Sequence, residues 1–358
     1  MDLIRFISTK IDEKLSAGDD NSFYILNVND VRLKYENWTK EIPRVVPFYA
    51  IKCNDDAVIV KTLADLGTGF DCASIKELDQ ILKMGINQNR IIYSHTVKQA
   101  SHLQFAADNR VEMVTFDSVD ELIKIKNVHP NAKAVLRIKF DAENSIICMG
   151  IKFGCDPLTE APDLIRKCQE LGALQSVRQL FDVADTYGFK LQLVNIGGGF
   201  MGNDISLLAN YAKYINRGID LYFPDPSVTI ISEPGRYFSE SALTLVVQVI
   251  LKKVSSDGHI HYYINDSIYH SFCIAFIYES KLKFSVIRKT IKSSTPIERP
   301  STIWGQTCNT KDKIVGNENM PDMEIGDYLV FENMGAYTTT VSTLFNGFKI
   351  GEIIHIDR

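Results

Sequence analysis

The most informative segment of the chain is Val45-Val46-Pro47-Phe48-Tyr49-Ala50-Ile51-Lys52, an apolar run that ends in a lysine. A continuous apolar run of this length is typical of a buried strand. Burying an ammonium at the end of such a strand is costly without a partner, and a lysine held there can condense with an aldehyde. The alternative is a strand-end lysine whose stem packs on the protein while its ammonium reaches water.

Strands and helices alternate on both sides of this segment. Predicted strands cover 22–28, 47–52, 69–72, 90–94, 113–116, 134–138, 191–196 and 227–232. Predicted helices cover 29–39, 55–66, 74–84, 97–108, 117–126, 161–172 and 176–187. This alternation is typical of parallel βαβ units, and seven or eight units in about 200 residues predict a (β/α)8-type barrel.

The alternation breaks near residue 172. The predicted helix that starts at Ala161 runs almost directly into the one that starts at Ser176, with only Gly172-Ala173-Leu174-Gln175 between them. Four residues cannot hold a strand and its two connections, so an αα hairpin or a single kinked helix is expected. The sequence therefore predicts seven barrel strands where eight would close the ring.

After Tyr237 the pattern becomes β-rich, with segments at 243–251, 261–264, 328–331 and 350–356 and no helix between most of them. Such a pattern predicts a mainly antiparallel sheet domain, which the strand at 22–28 could join. We expect a barrel domain over 30–238 and a sheet domain formed by 1–29 and 239–358.

Composition limits the classes of function. The chain has 358 residues, 45% hydrophobic and 23% charged, which favours a two-domain globular protein. A net charge of −5 argues against a nucleic-acid partner. The sequence shows no signal segment and no apolar run that could span a membrane. Seven cysteines without a Cys-x-x-Cys spacing, and histidines without a His-x-x-x-His pair, favour a cytoplasmic protein without disulfides or metal.

Two motifs follow neighbouring predicted strands, Ile196-Gly197-Gly198-Gly199-Phe200 and Glu233-Pro234-Gly235-Arg236. Glycines let backbone N–H groups approach a phosphate, although a tight turn would use the same residues. In a barrel, active-site groups collect at the carboxyl ends of the strands, although Glu233 and Arg236 could also form a local salt bridge.

A phosphate cradle, a lysine and an acid together suggest pyridoxal 5′-phosphate (PLP). Lys52 would hold the aldehyde, Glu233 would keep the pyridine nitrogen protonated, and the glycines with Arg236 would hold the phosphate.

Six motifs occur in an order that resembles eukaryotic ornithine decarboxylase, from about residue 20 to the C-terminus. They are Tyr49-Ala50-Ile51-Lys52-Cys53-Asn54, Gly69-Phe70-Asp71-Cys72-Ala73-Ser74, Gly197-Gly198-Gly199, Glu233-Pro234-Gly235-Arg236-Tyr237, Trp304-Gly305-Gln306-Thr307-Cys308 and Glu332-Asn333-Met334-Gly335-Ala336-Tyr337-Thr338. The resemblance implies an alanine-racemase-like barrel with a sheet domain, and PLP-dependent conversion of L-ornithine to putrescine in polyamine biosynthesis. It also implies a head-to-tail homodimer with two shared active sites.

The resemblance assigns cofactor contacts to Lys52, Asp71, Glu77, Arg137, Gly197, Gly198, Gly199, Glu233, Arg236 and Tyr337. In that assignment Lys52 is the Schiff-base lysine, Glu233 the pyridinium partner, and Tyr337 a phosphate binder from the sheet domain. Cys308 of the other subunit matches the thiol that returns a proton after CO2 leaves. Glu279, Asn309 and Phe345 match substrate positions, and Lys152 and Asp312 match a salt bridge across the dimer. Taken alone, Cys308 would be a small buried apolar residue, and Tyr337 and Phe345 would be core aromatics.

Three departures from the family pattern stand out. The barrel strand that ends in His-Val-Gly-Ser-Gly, whose histidine stacks on the pyridine ring and whose serine helps bind phosphate, has no counterpart near residue 172. Asn309 replaces an aspartate that binds the distal amine, and an amide cannot supply that charge. Glu279 replaces the other amine-binding aspartate with a longer acid.

These departures lead to three hypotheses. The first is an ornithine decarboxylase with weak or no activity, which the retained Lys52, Glu233, Arg236 and Cys308 favour. The second is a regulator similar to antizyme inhibitor, which keeps the fold and binds antizyme; residues 98–126 match the antizyme-binding region of relatives, although a solvated helix explains them equally well. The third is an incomplete gene product or splice form that folds poorly.

Overall fold

The computed structural model describes residues 2–138, 173–277, 282–289 and 297–357. Its α-helices are α1 Leu3–Ser16, α2 Val28–Glu41, α3 Ala57–Leu66, α4 Ile75–Lys83, α5 Ala100–Asp108, α6 Val119–Val128, α7 Ala173–Thr186, α8 Leu207–Tyr222, α9 Arg236–Ser239 and α10 Cys273–Ile277. Its strands are β1 Phe23–Asn27, β2 Val45–Ala50, β3 Gly69–Cys72, β4 Ile91–Tyr93, β5 Met113–Phe116, β6 Lys133–Leu136, β7 Leu193–Asn195, β8 Thr229–Ser232, β9 Leu243–Val254, β10 Ile260–Ile264, β11 Phe284–Ile287, β12 Glu298–Trp304, β13 Lys313–Pro321, β14 Tyr328–Phe331 and β15 Glu352–Ile356.

The chain divides into two compact units. The barrel unit comprises Arg32–Lys52 and Val60–Tyr237. The sheet unit comprises Met1–Val31, Cys53–Ile59 and Phe238–Arg358. The domain boundaries given from the sequence stay a prediction.

The barrel unit contains a seven-stranded sheet in the order β6-β5-β4-β3-β2-β8-β7. Every neighbouring pair in it is parallel, and helices connect most of the strands. Phe48, Ile92 and Ile231, from three of these strands, form a buried cluster within the unit. The predicted barrel-type fold is therefore confirmed, with seven strands among the described residues. The predicted helix at 161–172 lies outside those residues.

The strand that carries the apolar run differs from the prediction at its end. β2 stops at Ala50, and Ile51–Cys53 form a short 3-10 turn. Lys52 therefore follows the strand, and its side chain is 41% exposed. The expectation of a buried lysine at position 52 is wrong, because the turn carries its side chain out of the sheet's apolar layer.

The sheet unit is built around the twelve-residue strand β9, which pairs with β1, β10 and β14. The pairs β1–β15 and β10–β12 are parallel, while the others are antiparallel. Ile7 and Ile11 of α1 pack against Phe23 and Val246 in its core. The prediction of a mainly antiparallel sheet that includes the first strand is confirmed.

A transmembrane helix is absent from the described part of the chain, since none of its helices combines the length and apolar composition that crossing a bilayer requires.

Candidate active site

Asp71 and Lys52 lie at the carboxyl ends of neighbouring strands. The parallel register pairs Ala50 with Asp71, so a side chain two residues after Ala50 can reach the Asp71 carboxylate. Lys52 Nζ forms an ion pair with Asp71 Oδ2, and Ser94 Oγ donates a hydrogen bond to Asp71 Oδ1. Asp71 is fully buried. The buried carboxylate thus holds the lysine amine at one edge of the sheet.

Glu77 lies in the first turn of the helix that follows Asp71. Ser74 caps this helix by accepting a hydrogen bond from Glu77 N at 3.3 Å. Glu77 Oε2 accepts from the backbone N–H of Ala73 at 2.6 Å, so the two side chains form a variant of the capping box. Burial raises the pKa of Glu77; the Ala73 N–H opposes this, and the charge of Asp71 adds to it.

The triple-glycine segment is bonded to the segment after β8. The carbonyl of Gly197 accepts hydrogen bonds from Glu233 N at 2.7 Å and from Ser232 Oγ at 2.6 Å. A Cβ on Gly198 would lie 2.5 Å from the Glu233 carbonyl oxygen, so only glycine permits this approach. Gly197 and Gly199 have φ of 71° and 93°, the left-handed region that glycine adopts without strain.

Asn195 connects the same two segments. Its Nδ2 donates to Glu233 Oε1 at 2.7 Å, and its Oδ1 accepts from Gly197 N at 2.9 Å. Desolvation raises the pKa of Glu233 to about 7, and the charge of Asp71 acts in the same direction. Lys52, Asn195 and Arg137 oppose that rise. These mutual effects show that the barrel unit brings the four groups Lys52, Asp71, Arg137 and Glu233 into one electrostatic cluster.

Two arginines belong to this region of the barrel unit. Arg137 follows β6, and its backbone N–H donates to Phe116 O at 2.8 Å. Arg236 is the first residue of α9 and is partly buried. The backbone N–H of Ala50 donates to Pro234 O at 3.2 Å, which ties the end of β2 to the segment that carries Arg236.

These residues fit the three functional groups of PLP. Lys52 supplies a primary amine for the aldehyde, and Glu233 supplies an acid whose pKa lies near neutrality. Apart from the glycine itself and its two chain neighbours, no atom of the described residues lies within 4 Å of a Cβ built on Gly197 or on Gly199, so the glycine turn leaves room for a phosphate. Arg236 follows Glu233, whose backbone bonds that turn, by three residues, and its guanidinium suits the same anion.

Cys308 lines a cavity of about 260 Å³ in the sheet unit. Cys308 is exposed, so it is not the small buried apolar residue of the alternative interpretation. Its backbone N–H donates to Asn346 Oδ1 at 3.3 Å, and its Sγ lies 3.4 Å from the same oxygen. The neighbouring Asn309 donates from Nδ2 to Tyr269 Oη at 2.6 Å.

The other predicted residues of the sheet unit are placed as follows. The Phe345 ring centroid lies 4.4 Å from that of Tyr269 and 38% of Phe345 is exposed, so it is not a core aromatic. Asp312 is buried and accepts hydrogen bonds from Thr307 Oγ1 at 2.6 Å and from Ile268 N at 3.0 Å. Tyr337 is partly buried, with φ of 55°, and its N–H donates to Cys53 O at 2.8 Å.

Glu279 and Lys152 lie outside the described residues. The pairing of Lys152 with Asp312 therefore stays a prediction, as do the roles assigned to the other site residues. Asn195 and Ser94 were missed by the sequence reasoning. Both stand at the carboxyl end of a predicted strand. Asn195 lies two residues before Gly197, a spacing typical of an Asx-type turn, and this spacing could have indicated its role.

Comparison with known proteins identifies relatives of this arrangement. A sequence model of the family "Pyridoxal-dependent decarboxylase, pyridoxal binding domain" matches residues 28–173 and 170–240. Ornithine decarboxylase of Mus musculus is 39% identical over 98% of this chain and 84% of its own length. Antizyme inhibitor 2 of Xenopus laevis is 38% identical over 95% of this chain and 82% of its own length. The crystal structure of Paramecium bursaria Chlorella virus arginine decarboxylase superposes with a TM-score of 0.89, at 34% identity over 98% of this chain and 100% of that one.

The matched relatives and this chain differ in length within the aligned region. The family model matches in two pieces that meet at 170–173, where the alternation of strands and helices breaks. The alignment with the mouse protein runs over 391 residues, more than the 358 of this chain. The mouse protein therefore has residues within the matched region that have no counterpart here.

A parallel barrel sheet whose strand ends carry a lysine, two acids and a glycine turn defines a PLP-dependent enzyme of the barrel type. The family model and the curated relatives place this enzyme among the carboxy-lyases. The chain belongs to the ornithine decarboxylase family of pyridoxal-dependent decarboxylases, and its cofactor is PLP.

Proposed function

We propose that the protein decarboxylates L-ornithine to putrescine, as the name of its mouse relative suggests. The observation that carries this proposal is the cluster at the strand ends, in which Lys52 contacts Asp71 while Glu233 has a pKa of about 7. When bound, PLP supplies the electron sink that stabilises the electron pair left on the α-carbon as CO2 departs.

The side chains of this chain would then have distinct tasks. Lys52 would hold the aldehyde carbon of the cofactor, and Glu233 would keep a proton at the pyridine nitrogen. Gly197, Gly199 and Arg236 would bind the phosphate. The Cys308 thiol of the other subunit would donate a proton to the α-carbon, where it would bond to the electron pair left by the broken C–C bond, and the sulfur would be left as a thiolate.

We further propose that turnover is low. Asn309 presents an amide where the resemblance expects an acid for the distal ammonium of the substrate, and its Nδ2 already donates to Tyr269 Oη. The resemblance also expects a strand with a ring-stacking histidine near residue 172, where the two matched pieces of the family model overlap. Cytoplasmic polyamine biosynthesis by a homodimer, implied by the resemblance, completes the proposal.

The test is product formation with purified protein and PLP. Putrescine and CO2 should form slowly from L-ornithine, and the same assay with L-lysine and L-arginine establishes the substrate preference. Lys52→Ala should abolish both product formation and covalent capture of the cofactor after borohydride reduction. Lys61→Ala is the matched control, because Lys61 is exposed and pairs only locally with Asp65. Capture of PLP on Lys52 without CO2 release from any of the three amino acids would overturn the decarboxylase proposal.

A regulatory role is the second candidate, favoured by the similarity to antizyme inhibitor 2. Within the predicted contact region 98–126, Lys98 is buried and pairs with Glu121 at 2.7 Å, whereas Val119 of α6 is 73% exposed. An antizyme would therefore meet the apolar outer face of α6. Co-sedimentation of the native chain with antizyme tests this role, and a failure to co-sediment would contradict it. Val119→Glu tests the α6 contact, which unchanged binding by the variant would contradict.

A further inference from the structure

Lys34 of α2 has no part in the chemistry described so far, yet it is only 2% exposed. Its Nζ donates hydrogen bonds to two backbone carbonyls, that of Tyr237 at 2.9 Å and that of Gly202. A buried ammonium is costly unless its N–H donors are used. Here the two carbonyl groups accept hydrogen bonds from it, so the ammonium and the carbonyls satisfy one another.

The two carbonyls belong to the two segments that would bind phosphate. Gly202 follows the glycine turn by three residues, and Tyr237 follows Arg236 directly. One ammonium therefore bridges the segment that supplies backbone N–H groups and the segment that supplies a guanidinium.

Further contacts from α2 reinforce the bridge. Tyr237 Oη donates to the backbone carbonyl of Lys34 at 3.2 Å and accepts from Asn37 Nδ2 at 3.1 Å. The Trp38 ring lies 5.0 Å from that of Phe200 and 5.3 Å from that of Tyr237, so it packs against both segments. Lys34 Nζ also lies 5.2 Å from the Tyr237 ring centroid, within cation–π range.

We propose that Lys34 is a positioning residue that fixes the spacing between the glycine turn and Arg236 and thereby sets the affinity of the protein for the phosphate of PLP. Lys34 does this from beneath the cradle, through carbonyl groups, without touching the cofactor. This inference rests on the phosphate-binding roles proposed above, but it does not depend on which amino acid is decarboxylated.

The experiment compares PLP with pyridoxal, which carries the same aldehyde and ring without the phosphate. Lys34→Met should weaken PLP binding about ten-fold or more, while leaving the affinity for pyridoxal unchanged. Lys34→Arg keeps the charge and donors and should recover part of the PLP affinity. Lys61→Met, which alters an exposed lysine, should change neither ligand's binding. Binding is followed by equilibrium dialysis, and borohydride capture on Lys52 reports whether the aldehyde still reaches its amine.

Each outcome bears on the inference. An equal loss of PLP and pyridoxal binding in Lys34→Met, or no loss of either, would overturn it. If Lys34→Met does not fold, as judged by its thermal transition, Tyr237→Phe provides a milder change, since it removes only the hydroxyl that bonds the Lys34 carbonyl; a phosphate-selective loss is again expected, and its absence is contradictory. Because no readout uses ornithine, a failed decarboxylation assay leaves these results intact.

Discussion

Asn195 bonds both Glu233 and Gly197, through the two ends of a single amide. Its Nδ2 donates to Glu233 Oε1 at 2.7 Å, while its Oδ1 accepts from Gly197 N at 2.9 Å. Because the carbonyl of Gly197 also accepts from Glu233 N, the acid and the glycine turn form one hydrogen-bonded unit. The acid expected at the pyridine nitrogen and the turn expected at the phosphate are thus fixed relative to each other.

Replacing Asn195 by alanine removes a donor that favours the ionised form of Glu233. We expect the pKa of Glu233, about 7 in the native chain, to rise by roughly one unit in Asn195→Ala. Carbon-13 NMR of labelled glutamate in the cofactor-free protein, assigned with Glu233→Gln, measures this directly. Asn216→Ala is the control, because Asn216 donates instead to the backbone carbonyl of Glu41. An unchanged titration midpoint in Asn195→Ala would show that the amide does not govern the acid.

The raised pKa of Glu233 makes the stability of the cofactor-free protein depend on pH. The carboxyl has a folded pKa of about 7 against an ordinary value of 4.5, so the unfolded chain ionises first as pH rises. The contribution of Glu233 to the free energy of unfolding is fully present below pH 4.5 and is lost as pH rises through 7. The loss is about 3–4 kcal/mol at most for a shift of this size.

Glu233→Gln should therefore flatten the decline in the free energy of unfolding between pH 5 and pH 8, as urea denaturation at the two pH values measures. Glu112→Gln is the control: Lys133 lowers the pKa of the partly exposed Glu112, so this carboxyl is ionised in both states across the window and its removal should leave the decline unchanged. The explanation fails if the free energy of unfolding of Glu233→Gln declines with pH as steeply as that of the native chain.

Much of the barrel was predictable because its signals are local. Predicted strands at 69–72 and 113–116 match β3 and β5 at both ends, where apolar runs meet glycine or aspartate. α8 was missed although its buried residues Leu208, Ala212 and Ile219 follow a helical period. α1 was missed as well. β13 could not be predicted from hydrophobic periodicity, because most of its residues are exposed. Its strand conformation depends on pairing with β12.

The residue types of the candidate site were predictable, but its contacts were not. Lys52 meets Asp71 only because the β2–β3 register places Ala50 opposite Asp71. Asn195 meets Glu233 across 38 residues of sequence, through the parallel pairing of β7 with β8. Registers of this kind pair residues that are far apart in the chain, and they cannot be predicted directly from a single sequence.

Gly198 is predicted to tolerate no side chain, for reasons of space rather than backbone angle. A Cβ there would lie 2.5 Å from the backbone oxygen of Glu233. A backbone atom cannot move away as easily as the end of a flexible side chain can. Gly198→Ala should separate the glycine turn from the Glu233 segment and weaken PLP binding about ten-fold or more, measured by equilibrium dialysis.

Gly316→Ala is the matched control for Gly198→Ala. Its Cβ would lie 3.4 Å from Lys313 Cε, on the flexible end of a side chain, so binding should not change. Native PLP affinity in Gly198→Ala would mean that the close approach to Glu233 is not needed for the cradle.

Asn309→Asp restores the charge that the resemblance expects beside the distal amine of the substrate. The substitution fits the local contacts, since Oδ1 can still accept from Lys311 N at 2.8 Å and the Tyr269 hydroxyl can donate to the new Oδ2. We expect KM for L-ornithine to fall about ten-fold, because a carboxylate can pair with an ammonium where an amide cannot. Initial-rate measurements should show no such gain for L-norvaline, which lacks the distal amine. Asn319→Asp adds the same charge at an exposed position on β13 and should leave both KM values unchanged. A gain for norvaline equal to that for ornithine would mean that Asn309→Asp acts through the loop's conformation and not through the substrate's second amine.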